Sequence, residues 1–224
     1  MRILIVAATR AEVTPILAAI ANPVAHNRVL SGALGTHKID ILLTGVGMVP
    51  TAVWCTRALA IGGFDLALNL GVCGSFTPAL APPSVVHVST DTFSELGAED
   101  GSQFLPLTDL GLLSPDEFPF TGGRLVNAAP PPLPGLAELP EAAGITVNTV
   151  HGDETSIAAV AARCAPDVES MEGAAFMYAC LISGIPFAQV RAVSNRVERR
   201  NRAAWDLGGA VRRLGEVALQ LLGT

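Results

Sequence analysis

Residues 168–195 contain two apolar blocks that meet at Gly184-Ile185-Pro186. The first block, 171–183, is rich in alanine and long enough for a helix, whereas the second, 187–193, is short and rich in β-forming residues. Glu169, Ser170 and Glu172 lie near the start of this stretch, and Arg191, Ser194 and Asn195 lie near its end. A buried helix–strand unit with polar rims is typical of an open α/β sheet, where such rims form a ligand pocket.

Length and composition indicate a globular chain with a large core. The 224 residues are 50% hydrophobic and 15% charged, which predicts a single α/β domain spanning residues 1–224. The net charge of −6 argues against a nucleic-acid partner, because phosphate neutralisation requires a basic surface.

The apolar stretches do not predict a membrane protein. The longest, residues 174–190, is interrupted at Ser183-Gly184 and Pro186, whereas a membrane span needs about 20 uninterrupted apolar residues. The four cysteines and four histidines show no metal-ligand or disulfide spacing, so we expect no metal site and reduced thiols. Together these features predict a cytoplasmic protein without membrane association.

The chain alternates β-rich and helical segments. The run 2–8 predicts a first core strand, and 11–21 a helix with Thr9 as its N-cap. A strand at 37–44 leads through Gly45-Val46-Gly47 into a helix at 49–61. We further expect strands at 66–70, 85–89 and 145–150, a helix from 151–156 to about 163, and a C-terminal helix at 201–222.

Residues 90–123 show little periodicity and are predicted to form a long loop. Four of the eight phenylalanines lie there: Phe93, Phe104, Phe118 and Phe120. Apolar rings on a loop need a surface to pack against, and a substrate pocket and a subunit interface are both open, with the interface slightly favoured.

Glu12 falls in the first turn after the first strand, at the edge of the sheet that faces the ligand crevice. Two interpretations are open: a functional carboxylate, or a glutamate that complements a helix dipole. The Gly45-Val46-Gly47 turn lets the backbone approach a ligand closely. It is not a dinucleotide fingerprint, because Pro50 replaces the third glycine.

The segments Ser-Met-Glu-Gly-Ala-Ala (170–175) and Arg-Ala-Val-Ser-Asn (191–195) resemble those of the nucleoside phosphorylase and nucleosidase superfamily. The resemblance runs from Met1 to about Leu222. Within the superfamily the chain is most similar to the futalosine hydrolases of menaquinone biosynthesis, relatives of methylthioadenosine/S-adenosylhomocysteine nucleosidase. It implies a three-layer α/β/α fold with a central, mostly parallel mixed sheet, no cofactor, a purine nucleoside substrate, and a homodimer or larger homo-oligomer.

The resemblance also implies roles for individual residues. Glu172 would bind the ribose hydroxyls above an apolar floor formed by Met171. Glu12 would activate water, with Arg191 orienting the water or that carboxylate. The remaining positions are a Gly-rich turn beneath the sugar (Gly71, Val72), a purine-binding pair (Ser194, Asn195) and, at the base-stacking position of adenine-specific relatives, Thr155.

Asn195 bears on the identity of the base. Adenine-cleaving relatives carry an aspartate there, which can protonate N7, whereas an amide cannot act as that acid. The amide can accept from a protonated N7 and donate to O6, which suits a 6-oxopurine such as hypoxanthine, although a flipped amide could also pair with adenine.

Hydrolysis is favoured over phosphorolysis, because the Gly-rich segments carry no basic residue and Arg10 is the only cation expected nearby. The alternatives are a 6-oxopurine nucleoside phosphorylase, a methylthioadenosine/S-adenosylhomocysteine-type nucleosidase, a non-catalytic nucleoside-binding protein and, least favoured, a nicotinamide-dependent oxidoreductase. The residue that reads the 5′ substituent stays open.

Overall fold

The computed structural model describes residues 1–224 and contains thirteen strands and five helices. The strands are β1 (Arg2–Ala7), β2 (Ala21–His26), β3 (Val29–Leu34), β4 (His37–Leu43), β5 (Leu66–Ser75), β6 (Val85–Phe93), β7 (Gly97–Asp100), β8 (Gln103–Pro106), β9 (Phe120–Thr121), β10 (Arg124–Val126), β11 (Glu141–Thr146), β12 (Val168–Ser170) and β13 (Phe187–Arg196). The helices are α1 (Thr14–Ala19), α2 (Met48–Gly62), α3 (Glu154–Cys164), α4 (Gly173–Ser183) and α5 (Leu207–Leu221). No helix combines the length and the apolar character that crossing a membrane requires.

Eleven strands form one mixed sheet in the order β2-β3-β4-β1-β5-β12-β11-β6-β10-β9, with β13 paired to both β5 and β6. The strands β5, β12, β11, β6 and β13 therefore close into a ring. Parallel pairs such as β1–β4, β1–β5 and β5–β13 coexist with antiparallel pairs such as β12–β5 and β13–β6. The predicted α/β fold with a mixed sheet is confirmed, whereas the closed ring was not anticipated.

Alternate residues of β1 point into two hydrophobic cores on opposite faces of the sheet. Ile3 and Ile5 join the core that packs against α1 and α5, and Leu4 and Val6 join the core formed with α2 and α4. This alternation follows from the period of two in a strand. Because both faces are covered by helices, β1 reads as a continuous apolar run in the sequence.

The central helix–strand unit forms as predicted. Seven of the eleven residues of α4 are buried. The helix ends at Gly184, whose φ of +63° is a conformation that glycine adopts easily. Pro186 then precedes β13, which continues to Arg196 and so extends beyond the predicted limit at 193. Arg191 and Asn195 therefore belong to one strand.

The prediction of a helix at 11–21 is confirmed only in part. The segment contains a short 3-10 turn at Ala11–Val13, then α1, which begins next to Pro15, and then β2. Proline is favoured in the first helical turn, so Pro15 marks a helix start that the apolar pattern alone did not show. The hairpin of β2 and β3 was missed because Ala18–Ala21 has a helical composition.

The predicted long loop at 90–123 is also wrong in part. Residues 90–93 continue β6, and β7 and β8 form a hairpin that turns at Gly101, where φ is +62°. Smaller shifts affect the predicted strand at 145–150, which lies at Glu141–Thr146, and the C-terminal helix, which begins at Leu207 after Asp206 accepts a hydrogen bond from the Gly209 N–H.

Candidate active site

Glu12 lies in the 3-10 turn after β1, and its side chain is buried. Its Oε2 accepts hydrogen bonds from the backbone N–H (2.8 Å) and the hydroxyl (2.9 Å) of Thr9, and its Oε1 accepts one from the Val72 N–H (3.3 Å). The prediction of Thr9 as a helix N-cap is therefore wrong. Thr9 instead fixes the side chain of Glu12 through these two hydrogen bonds. A glutamate that only complements a helix dipole stays solvated, so burial with three donors favours the functional interpretation.

Gly71 leaves room for Glu12 and Arg191 to approach each other. A Cβ atom at Gly71 would overlap Nη1 of Arg191 and lie 3.0 Å from Oε1 of Glu12. Gly71 pairs with Arg191 in the parallel ladder of β5 and β13. The sequence placed Gly71 and Val72 in a turn after a strand at 66–70, but β5 continues through both, so these positions are strand residues.

Glu172 is the residue immediately before α4 and is 5% exposed. Its Oε1 accepts a hydrogen bond from the Gly47 N–H (3.0 Å), and its Oε2 lies 3.5 Å from Nη1 of Arg191. Burial raises the pKa of Glu172, the Arg191 charge and the Gly47 N–H oppose that rise, and the nearby Glu12 charge adds to it. Arg191 was expected to orient water or the Glu12 carboxylate, but its ion pair is with Glu172.

A buried polar network that the sequence did not reveal holds Arg191. Its Nε donates to Oε1 of Gln189 (3.1 Å), and its Nη2 donates to Oδ1 of Asn69. Gln189 in turn donates to Oδ2 of Asp91 (3.0 Å), whose Oδ1 accepts from the Thr146 hydroxyl (2.9 Å). Burial raises the pKa of Asp91 to about 6 in spite of these donors.

Two signals could have pointed to this network. Gln189 stands two residues before Arg191, a spacing that puts both side chains on one face of a strand. Asn69 is the one polar residue in the run Leu66–Gly71. Asp91 was missed because it fell in the segment predicted as a loop.

Ser194 and Asn195 occupy the far end of β13, where the ladder with β5 contains a bulge. The Ser194 hydroxyl lies 3.2 Å from the Cys73 carbonyl oxygen and 2.8 Å from Oδ1 of Asn195. Nδ2 of Asn195 donates to the Arg196 carbonyl (2.8 Å). The amide lines a cavity of about 130 Å³ and keeps one N–H and one lone pair for a ligand.

His151 and Glu169 line the same cavity. The backbone N–H of His151 donates to Oε1 of Glu169 (3.0 Å), and its Nδ1 bonds to Oε2. Thr155, expected at the base-stacking position, is instead exposed in the first turn of α3, where its N–H bonds to Asp153. The residues of the loop before α3 that line the cavity are Val150, His151 and Gly152.

The other predicted positions are also located. Met171 is half-buried in the turn between β12 and α4, next to Glu172. Arg10 is exposed, and a second cation lies beside the Gly45 turn: Nη1 of Arg28 is 3.7 Å from the place of a Cβ at Gly45. Nη1 of Arg28 donates to the carbonyls of Leu43 and Thr44, and the sequence reasoning missed it because it lies in an unpredicted hairpin.

The arrangement has two chemically distinct ends. One end holds two buried carboxylates, Glu12 and Glu172, beside the guanidinium of Arg191. The other holds the amide of Asn195 and the His151–Glu169 pair. Arg191 and Asn195 are four positions apart along β13, a span of about 13 Å at the usual rise of a strand, which is compatible with a bound nucleoside. No group of three or more metal-binding side chains converges in the chain.

Comparisons with known proteins place this geometry in a family. The model of the phosphorylase superfamily matches residues 2–223. A futalosine hydrolase of Streptomyces coelicolor is 34% identical over 81% of this chain and 77% of its own length. A futalosine hydrolase of Acidothermus cellulolyticus is 33% identical over 98% of this chain and 89% of its own length.

A solved structure shows the same fold at lower identity. The 5′-methylthioadenosine/S-adenosylhomocysteine nucleosidase of Colwellia psychrerythraea, in complex with adenine, superimposes with a TM-score of 0.81 at 20% identity. The match covers 100% of this chain and 95% of that one. The family model and the extent of identity to the two curated relatives show that the chain belongs to the phosphorylase superfamily and, within it, to the futalosine hydrolase family.

Proposed function

We propose that the protein hydrolyses the N-glycosidic bond of futalosine to give hypoxanthine and dehypoxanthine futalosine, a step of menaquinone biosynthesis. The observation that carries the proposal is the placement of two buried carboxylates, Glu12 and Glu172, beside one guanidinium. The names of the curated relatives support the substrate. A protein that only stores or binds a nucleoside would have no need for a second buried carboxylate.

Each carboxylate has a separate task in this mechanism. Glu172 accepts hydrogen bonds from the 2′ and 3′ hydroxyls of the ribose, with Met171 as an apolar floor. Arg191 balances the Glu172 charge as positive charge develops on the sugar. Glu12 takes a proton from the attacking water while the C1′–N9 bond breaks. The Val72 N–H fixes Glu12 for this step, and Gly71 leaves room for it.

Asn195 selects the base. Its free N–H donates to O6 and its free lone pair accepts from a protonated N7, a pattern that a 6-oxopurine matches. Ser194 holds the amide in place, because its hydroxyl lies 2.8 Å from Oδ1. The bond from Nδ2 to the Arg196 carbonyl fixes which side of the amide is the donor.

A 6-oxopurine nucleoside phosphorylase is the second candidate, and Arg28 is the observation that favours it. Its guanidinium is beside the Gly45 turn, where a phosphate could use backbone N–H groups. Hydrolysis is preferred because Nη1 of Arg28 is committed to two carbonyl oxygens and Arg191 to Glu172, Asn69 and Gln189.

Product analysis separates these functions. Purified protein is incubated with futalosine, inosine and methylthioadenosine, each with and without inorganic phosphate. We expect hypoxanthine and a free sugar from futalosine in phosphate-free buffer, with little adenine release. A sugar 1-phosphate formed only with phosphate would identify a phosphorylase. Preferred release of adenine would identify a methylthioadenosine-type nucleosidase, and binding without cleavage a non-catalytic protein.

We also propose that the protein functions as a homo-oligomer. A surface groove of about 360 Å³ is lined only by hydrophobic residues, among them Val49, Phe93, Leu96 and Phe120. Val49 is 71% exposed, and a contiguous exposed apolar patch is typical of an interface. The groove also contains Met48, which follows the Gly47 that binds Glu172, so a second subunit would border the sugar end of the site. Light scattering after size exclusion should give a dimer or larger species, and Val49→Asp should shift it to monomer.

A further inference from the structure

Glu169 and Asn195 face each other across Gly74. In the sheet, Gly74 of β5 pairs with Glu169 of β12 on one side and with Asn195 of β13 on the other. Residues directly opposite each other in neighbouring strands project to the same face of a sheet. A Cβ at Gly74 would lie 3.3 Å from Nδ2 of Asn195 and 2.8 Å from a methyl of Val197. The missing side chain therefore leaves the space that the 130 Å³ cavity occupies.

His151 lines this space, and its Nε2 has no hydrogen-bond partner in the protein. Glu169 is a carboxylate that only accepts hydrogen bonds, so Nδ1 of His151, which bonds to it, carries a proton. The backbone N–H of the same residue bonds to the other oxygen of Glu169. Two bonds to one buried carboxylate fix the orientation of the imidazole and leave Nε2 for a ligand.

The charged residues around the cavity are compatible with proton transfer from His151 to a bound ligand. Glu169 is 4% exposed, so its negative charge acts on the imidazole with little screening by water. Glu198, Arg196 and Arg200 also line the cavity and contribute charges of both signs, and Trp205 supplies an apolar wall. With a proton on each ring nitrogen, His151 can donate to Glu169 through Nδ1 and to a ligand through Nε2 at the same time.

We propose that His151 is the general acid that protonates the leaving purine and that Glu169 is its positioning residue. This inference rests on the proposed function, since it concerns the base end of the same site. It supplies the proton that Asn195 cannot, because an amide does not act as an acid at neutral pH.

The step balances. The reacting form of His151 is the imidazolium, with a proton on each ring nitrogen. The C1′–N9 bond breaks and its electron pair moves into the purine, while the Nε2 proton of His151 passes to N7 and its Nδ1 proton stays bonded to Glu169. The oxygen of water bonds to C1′, and the proton of that water passes to Glu12. His151 then regains a proton from solvent and Glu12 loses one, so that hypoxanthine leaves neutral and the enzyme is restored.

The test compares substrates whose leaving group must be protonated with a substrate whose leaving group departs as a stable anion. We expect His151→Gln, whose amide keeps the size and a hydrogen bond to Glu169, to lower kcat on futalosine or inosine by about 10²- to 10³-fold. The same variant should cleave p-nitrophenyl riboside at close to the wild-type rate, because p-nitrophenolate leaves as a stable anion. Glu169→Gln should show the same selectivity with a smaller loss.

A second measurement covers the case in which p-nitrophenyl riboside is a poor substrate. Free imidazole should partly restore hypoxanthine release by His151→Ala, because it fits the vacated space and carries the missing proton. Equal losses on both substrates together with no rescue would show that His151 only supports the loop. Unchanged activity on futalosine would show that it takes no part. A wild-type enzyme that releases no hypoxanthine would instead refute the proposed function itself.

Discussion

Oε2 of Glu172 lies 3.5 Å from Nη1 of Arg191, and both side chains are buried. Oε1 of the same carboxylate accepts the Gly47 N–H. One side chain thus links the start of α4, the strand β13 and the turn before α2. Because Arg191 is also held by Gln189 and Asn69, the pair is positioned before a substrate arrives, which reduces the reorganisation needed for catalysis.

The first prediction concerns Glu12→Gln. The amide keeps the shape of the side chain but loses its basicity, so kcat on futalosine should fall by about 10²- to 10⁴-fold with little change in KM. Steady-state kinetics at neutral pH provide the measurement. Near-normal turnover would mean that the three donors around Glu12 serve only the fold.

Glu172→Ala should raise KM and lower kcat for ribosides, because the contacts to the ribose hydroxyls tighten as charge develops on the sugar. The matched comparison uses the corresponding 2′-deoxynucleoside, on which the variant should lose less activity than it does on the riboside. The same loss on both sugars would argue that Glu172 does not contact the 2′ hydroxyl.

Asn195→Asp should shift the base preference towards adenine. A carboxylate would face O6 and the Arg196 carbonyl without a donor, and each lost or unpaired hydrogen bond costs about 1–3 kcal/mol, or roughly ten- to a hundredfold in kcat/KM. The carboxylate could accept from the amine of adenine and, when protonated, donate to N7. Hypoxanthine and adenine nucleosides with the same 5′ group are measured side by side. A parallel drop in both activities would assign Asn195 a structural role.

Asp91 should make stability depend on pH. Burial raises its pKa from the ordinary 3.8 to about 6 in the folded protein. Between these values the folded state keeps a proton that the unfolded state has released, so the free energy of unfolding should fall as pH rises from about 4 to 6 and then level off. A shift of about two units corresponds to roughly 3 kcal/mol.

Urea denaturation of the wild type and Asp91→Asn across pH 4 to 7 tests this effect. Since the amide of the variant does not titrate, the difference between the two unfolding free energies should change through that window and stay constant above it. The constant part reports the altered hydrogen bonds with Gln189 and Thr146. Two curves that run parallel from pH 4 to 7 would contradict a raised pKa for Asp91.

The sequence was informative where one physical signal dominated. The apolar run 2–8 predicted a strand buried on both faces, and β1 forms at Arg2–Ala7. Gly184 and Pro186 correctly separated α4 from β13. Glu12 and Glu172 were assigned roles through the resemblance to the nucleosidases, and the structure places both carboxylates beside one arginine.

The rest depended on contacts between distant segments. The strand β12 has only three residues, too few for a periodic pattern, yet it brings Glu169 to His151. Asp91 is 98 residues from Gln189 in the chain, so no local pattern joins them. Such pairs become visible only when the sheet order is known.

The closed ring of β5, β12, β11, β6 and β13 has a consequence for how this site can evolve. Within the ring each strand is paired on both sides, so no strand can slide by a residue without breaking two ladders at once. Glu169, Gly74 and Asn195 therefore occupy fixed positions relative to one another in the sheet. New substrate preferences on this scaffold should arise by exchanging the side chains at these three positions or by remodelling the loops that connect the strands. The spacing between the three positions should stay constant.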